Sequence, residues 1–432
     1  MAVQTRSPNL RSFAARLVPL AGLLTLSLSS ASALAQITQA STSALAQKLQ
    51  ESPIFWSATE NPLVPVLATD GQYHLEYQLL FVNGTTGGKA DLTLTSGEVL
   101  DPETGMPTGN NTALSGDGVD ISFKWHLFAT APSYLAESYA DTIPAGGAGL
   151  MYFWLSYPSL DAIPSSLQHR FSSAVTTAAG TTKNFTAEDD GSTPVSANGP
   201  LVISPPLSGA GWVDLVGAGP SITGHRFTAI STNGALRPSE QFAIDWLKLD
   251  ARGRPYVGDN TKVENYFGYG QPIISATDGV VVKTVDGMPN QVPPGLPTIK
   301  NLEDFGGNQV IVATQNGQSV EYVGYAHLIP NSVAVKVGQN VHVGQRLGLL
   351  GNSGNTTAPH LHFQVSDAPS LTNSNGLPFV IDRMYYQSHV VGPWSATVDA
   401  MLEQGFIPPF DPTGSGWRKR QMPLEFDVID FP

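Results

Sequence analysis

His360 and His362 stand one residue apart in the stretch GNSGNTTAPHLHFQV, residues 351–365. Successive side chains of a strand point to opposite faces, so residues two apart share one face. If HLHFQV is a strand, the two imidazoles look the same way and Leu361 and Phe363 fill the other side. Imidazoles converging on one point suit metal binding, proton transfer or both; two solvated histidines on a polar strand face are the plainer alternative. The chain contains no cysteine, so any metal must be held by histidine and carboxylate. GNSGNTT is not a phosphate cradle, because no Lys-Ser/Thr follows it and it leads into a strand rather than a helix. Its glycines and asparagines suit a tight turn that delivers HLH.

The elements that must position these histidines read as β. Gly 43 and Pro 33 are well above ordinary usage and only 13% of the 432 residues are charged, which favours short strands and turns over amphipathic helices. The length allows two or three domains. Residues 1–35 have the pattern of a signal peptide: Arg6, Arg11 and Arg16, then LVPLAGLLTLSLS, then an Ala-x-Ala site at Ala33 and Ala35. No later run reaches the ~18 apolar residues of a membrane span, so the expected product is exported, periplasmic or extracellular. Residues 36–60 read as a linker or a short helix, and 61–202 as a β-sandwich of immunoglobulin-like type, with strand-like segments such as YHLEYQLLFVNG separated by turn-rich stretches. Its histidines, His74, His126 and His169, have no partner at ligand spacing and read as structural, as do His342 and His389 further on. Residues 203–396 form the β-sheet domain that carries HLH, and 397–432 a C-terminal extension. The formal charge is −13, and loss of three arginines with 1–35 takes it to −16, which argues against nonspecific binding of nucleic acid or anionic lipid.

The segment from Gly270 to Asp367 resembles the lysostaphin/LytM family of zinc metallopeptidases, β-sheet enzymes that cut peptides of the bacterial cell wall. GQPIISATDGVVV, YAHL at Tyr325–Leu328 and VKVGQNVHVGQRLGLLGNSGNTTAPHLHF follow the family pattern in order. With the chain upstream to Asp245 the likeness covers a little over a quarter of the sequence. It implies an all-β fold and a zinc metalloendopeptidase, with one zinc per chain, that hydrolyses peptide bonds through a zinc-bound water. His362 and Asp245 match metal ligands, and His327 and His360 match catalytic histidines beside the metal. Peptidoglycan stem or bridge peptide, or another peptide, is the implied substrate; the oligomeric state stays open.

One position departs from the family pattern. The first zinc histidine usually lies four residues before the Asp, and here that position is Gln241, whose carboxamide is a poor zinc ligand. His225 in SITGHRFTAI is the replacement the chain offers. A hairpin around STNGALRPSE, with a loop of four to six residues, is expected to bring it opposite Asp245. A turn histidine beside a degenerate site is the alternative, and Glu240 is a third candidate. Two further functions fit parts of the sequence. A wall-binding or hydrolase-activating protein of the same family would explain the missing histidine but not the retention of the other four groups. A biotinyl-type carrier would need a modified Lys336, which sits one residue off the plausible hairpin tip.

Overall fold

The computed structural model describes residues 53–60, 62–85, 90–109, 125–128, 136–140, 142–188, 192–220, 224–297 and 301–432. The expected signal peptide and the linker as far as residue 52 lie outside the described residues. The rest of the expected linker holds a strand instead. In IFWSA, alternation turns Trp56 inward against Phe81 and Phe171, and the segment pairs with its neighbour along its whole length.

The N-terminal half consists of β1 (Ile54–Ala58), β2 (Tyr73–Asn83), β3 (Ala90–Leu100), β4 (Trp125–Phe128), β5 (Ala136–Ala140), β6 (Ala148–Tyr157), β7 (Ser166–Thr177) and β8 (Thr182–Glu188). One antiparallel sheet runs β1-β2-β6-β4-β5, and in the second β3 and β8 pair with β7. Leu75, Tyr77, Leu79 and Phe81 of β2 share a core with Leu92 of β3 and Phe171 of β7. Burying a side chain of this size stabilises by about 1.5–3 kcal/mol. The opposite face of β2 is polar, yet His74, Glu76 and Gln78 are buried too. A strand that alternates apolar and polar residues normally wets its polar side. Here that side is covered by the second half of the chain.

That half contains β9 (Gly209–Asp214), a single helical turn α1 (Gly224–Phe227), β10 (Ala229–Thr232), β11 (Ala235–Pro238) and β12 (Ile244–Lys248). It continues with β13 (Gly279–Val285), β14 (Gln309–Asn316), β15 (Ser319–Ala326), β16 (Leu361–Ser366), β17 (Met384–Val390), α2 (Trp394–Gln404) and β18 (Asp427–Phe431). An antiparallel sheet runs β13-β14-β15-β16-β12-β9-β18-β17, so the last strand in sequence lies inside it. One face is apolar: Tyr325, Leu361, Phe363, Ile244 and Trp246 pack into the larger core. The other face carries Asp245, His362 and Gln364 in the middle of the sheet. β10 and β11 do form a hairpin, but its turn is the two residues Asn233-Gly234 rather than four to six. Both adopt positive φ, which Asn and Gly tolerate and a two-residue hairpin turn requires.

Candidate metal centre

Pairing register builds the centre. β16 lies between β15 and β12, and His362 is opposite Asp245 on one side and Ala326 on the other. Leu361 and Phe363 point into the core, so period two sends His362 to the polar face. His360 immediately precedes the strand and turns its ring to the same carboxylate. His327 directly follows β15 and adopts φ +64, a left-handed conformation held by its N–H on the Gly306 carbonyl and its own carbonyl on the Gly351 N–H. A non-glycine residue in that region costs about 1–3 kcal/mol and persists only where neighbours fix it. His225 comes from α1 rather than from a hairpin strand.

Around Asp245 Oδ1 stand His362 Nδ1 at 3.0 Å, His360 Nε2 at 3.3 Å and His225 Nε2 at 3.4 Å. The His327 ring lies 4.7 Å from that of His360, centre to centre. All four imidazoles are buried and Asp245 is nearly so, on the wall of a cavity of about 260 Å³ that Glu240 also lines.

The remote nitrogen of each ring meets an acceptor that fixes its tautomer. His225 Nδ1 donates to Ala243 O at 3.0 Å, His327 Nδ1 to Ser353 O at 2.7 Å and His360 Nδ1 to Ala358 O at 2.7 Å. His362 Nε2 donates to Gln364 Oε1 at 2.8 Å. The Gln364 amide is oriented by its own NH₂, which donates to the carbonyls of Ser239 and Leu371. In the neutral rings, lone pairs therefore face Asp245 from three directions, and His360 Nε2 makes no hydrogen bond. Lone pairs crowded onto an anionic oxygen repel unless a positive charge lies among them. His225, Asp245 and His362 each offer a ligand atom, all within 4.8 Å of one another. Two imidazoles and a carboxylate, with outer hydrogen bonds satisfied, suit a divalent zinc-like ion.

In the metal-free protein, protons supply the positive charge. Burial opposes it, but the Asp245 carboxylate outweighs burial and pushes His225 up to about 9; Glu240 adds to the effect. His360 is raised in the same way, against burial and by Asp245. Burial would raise Asp245, yet His360 and His225 hold it well below the usual carboxylate range. His327 goes the other way: burial, then His360 and His362, depress it well below an ordinary histidine.

Gln241 turns away from the cavity. It is buried, donates to the Glu76 carbonyl at 2.8 Å and accepts from Gln78. The other described histidines stay outside the centre. His74 binds Asp70 and Ser156, His169 binds Tyr77, His389 meets Asp427 and His342 is largely exposed. The side chain of His126 lies outside the described residues. The sequence reading missed Gln364, which period two places on the face of His362, and the carbonyls of Ala243, Ser353 and Ala358, which carry no side-chain signal.

Residues 263–374 match the sequence profile of peptidase family M23. Over these residues the chain is similar to M23 peptidase domains. The matched residues include His327, His360 and His362 and stop short of His225 and Asp245. Over 96 residues the chain is 34% identical to the peptidoglycan DD-endopeptidase ShyA of Vibrio cholerae, covering 22% of this chain and 17% of that protein. Over 130 residues it is 30% identical to the glycyl-glycine endopeptidase ALE-1 of Staphylococcus capitis, covering 30% of this chain and 31% of that one. The chain thus spans less than a third of the length of either relative. Among solved structures, the catalytic domain of lysostaphin from Staphylococcus simulans is 23% identical and aligns with 37% of this chain and 85% of that one, at a TM-score of 0.22. Among the described residues no helix is long and apolar enough to cross a membrane.

Proposed function

We propose that this protein is an exported zinc metalloendopeptidase that hydrolyses peptide bonds in peptidoglycan, with His225, Asp245 and His362 as metal ligands. The observation that carries the reading is the convergence of three imidazole nitrogens on Asp245 Oδ1, each with its far nitrogen already bound. The M23 match and the peptidoglycan-acting and glycyl-glycine-cutting relatives support the substrate class. The positively charged and then apolar N-terminal sequence supports export.

His225, Asp245 and His362 would hold the zinc, which would supply Lewis acidity to the scissile carbonyl and lower the pKa of a bound water toward about 7. The remaining work falls to the chain. His327 and His360 each spend Nδ1–H on a backbone carbonyl and so present Nε2 to the cavity. A neutral ring there accepts the proton of an attacking water, and a charged one donates to the oxyanion or to the departing amine. Hydrogen bonds to Ser353 and Ala358 fix both ring orientations before substrate arrives, which is where positioning contributes.

The test is zinc content by elemental mass spectrometry together with release of peptide fragments from purified peptidoglycan. We expect about one zinc per chain, lost in His225→Ala and in His362→Ala, and a loss of cleavage of about 10²-fold or more in His327→Ala with zinc retained. An unmutated chain that takes up no zinc on incubation would move the protein to the wall-binding class. Zinc kept in His225→Ala but lost in His362→Ala would remove His225 from the ligand set and leave the enzyme standing.

A further inference from the structure

His225 is the one proposed ligand that the large sheet does not carry, since it sits on the single turn α1. The residue beside it is anchored to the N-terminal half. Arg226 is buried and its Nε pairs with Glu76 Oε1 of β2 at 3.2 Å, with both side chains out of water. The guanidinium also donates to Gly219 O at 2.9 Å, to Pro220 O at 3.1 Å and to Phe153 O of β6 at 3.2 Å. It lies over the rings of Tyr152 and Trp154 on the same sheet face, 6.0 Å from each centroid. The acceptor that orients the His225 ring, Ala243 O, is tied to the same strand, because Gln241 two residues earlier donates to Glu76 O and accepts from Gln78. Apolar contacts add a third link, with Ala229, just after α1, packed on Leu150 and Tyr152.

We infer that the N-terminal sandwich completes the metal centre, with Arg226, held by Glu76, as the positioning residue for His225. This rests on the proposed zinc site and deepens it by giving the sandwich a task within catalysis. The physical logic follows from where the ligand has moved. A ligand at position 241 would sit on the chain that leads directly into β12. A ligand on an isolated turn loses that support, and a four-residue turn has no stability of its own. Arg226 replaces it with a fork of donors pointing in fixed directions, which a lysine cannot reproduce. Gln241, freed from the metal, becomes part of the dock. The polar face of β2, buried without an apolar reason, is the matching half of that dock.

The test is zinc affinity of the full chain, measured by competition with a chelator, in Arg226→Lys, Glu76→Gln and Leu92→Ala. Leu92 belongs to a buried core cluster that includes no residue of α1 or of the centre, so its truncation weakens the sandwich away from the dock. Near-ultraviolet circular dichroism checks that each variant is folded. Changing a group that orients a metal ligand typically weakens metal binding about 10- to 100-fold. We expect a loss of that size in Arg226→Lys and Glu76→Gln, and affinity within about twofold of the unmutated chain in Leu92→Ala. Unchanged affinity in Arg226→Lys would overturn the inference while His225 remained a ligand, and so would an equal loss in Leu92→Ala. No zinc in the unmutated chain, or zinc indifferent to His225→Ala, would overturn both this inference and the ligand set beneath it.

Discussion

At the scale of single residues, Asp245 and its imidazoles form a proton trap that the proposed zinc would have to empty. Without metal, the carboxylate outweighs burial and holds a proton on His225 up to about pH 9. A histidine whose folded pKa is raised contributes stability that is fully present below its unfolded value of about 6.5 and is lost as pH rises through the folded value. The metal-free protein is therefore expected to lose stability between pH 6.5 and 9, less steeply in His225→Ala. Zinc binding needs that proton gone, so the sign reverses for affinity. Below about pH 9 the apparent zinc affinity should climb about tenfold per pH unit from this group alone. Chelator competition at pH 7, 8 and 9 reads it directly. A flat profile would mean that His225 is already unprotonated, and hence that Asp245 does not govern it.

At the scale of elements, the loop 351–357 and the strand that follows it have separable tasks. The strand delivers His362 to Asp245 and the proposed metal set, while the loop supplies Ser353 O to His327 and leads through Ala358 O to His360. The loop threads close to another: Gly354 has φ +84, and a Cβ there would lie 2.4 Å from the Gly307 nitrogen. Gly354→Ala thus forces the loop outward at a cost of about 1–3 kcal/mol. Cleavage should fall while zinc content stays near one per chain, because His225, Asp245 and His362 are positioned by α1, β12 and β16. Loss of zinc in this variant would show that loop and ligand set are not separable. Part of this arrangement could be read from the sequence. Period two in HLHFQV put His360 and His362 on one side, and the family resemblance of YAHL and AIDW pointed to His327 and Asp245. Asn-Gly marked the hairpin before Asp245, though not its length. The dock of His225 was not legible. A sequence shows that His74, Glu76 and Gln78 share a face, but not whether water or Arg226 and Gln241 cover it. Such partners are far apart in the chain, and polar pairing has no period.

At the scale of the whole molecule, the two halves are joined at several places besides the dock of α1. Val66 enters the larger core, Thr69 N donates to Met422 O, Met422 N donates to Leu67 O, and the Thr69 hydroxyl binds the carboxylate of Asp427 at the start of β18. β18 in turn lies between β9 and β17, and β9 backs the strand that carries Asp245, with Leu215 N on Asp245 O at 3.0 Å. Damage at β18 should therefore reach both the metal set and the sandwich. Ile429 is fully buried between Trp212 and Tyr386 on the neighbouring strands, and truncating such a side chain costs about 2–5 kcal/mol. If the halves unfold as one, Ile429→Ala should shift a single calorimetric transition downward without splitting it. Zinc at 100 times its dissociation constant should then restore about 2.7 kcal/mol, because only the folded chain assembles the three ligands. A sandwich transition that stays in place while a second one moves would mean that the contacts across β2 are too weak to couple the halves. A sandwich so loosely held could not keep His225 in position, so calorimetry on Ile429→Ala bears on the metal centre without touching any of its residues.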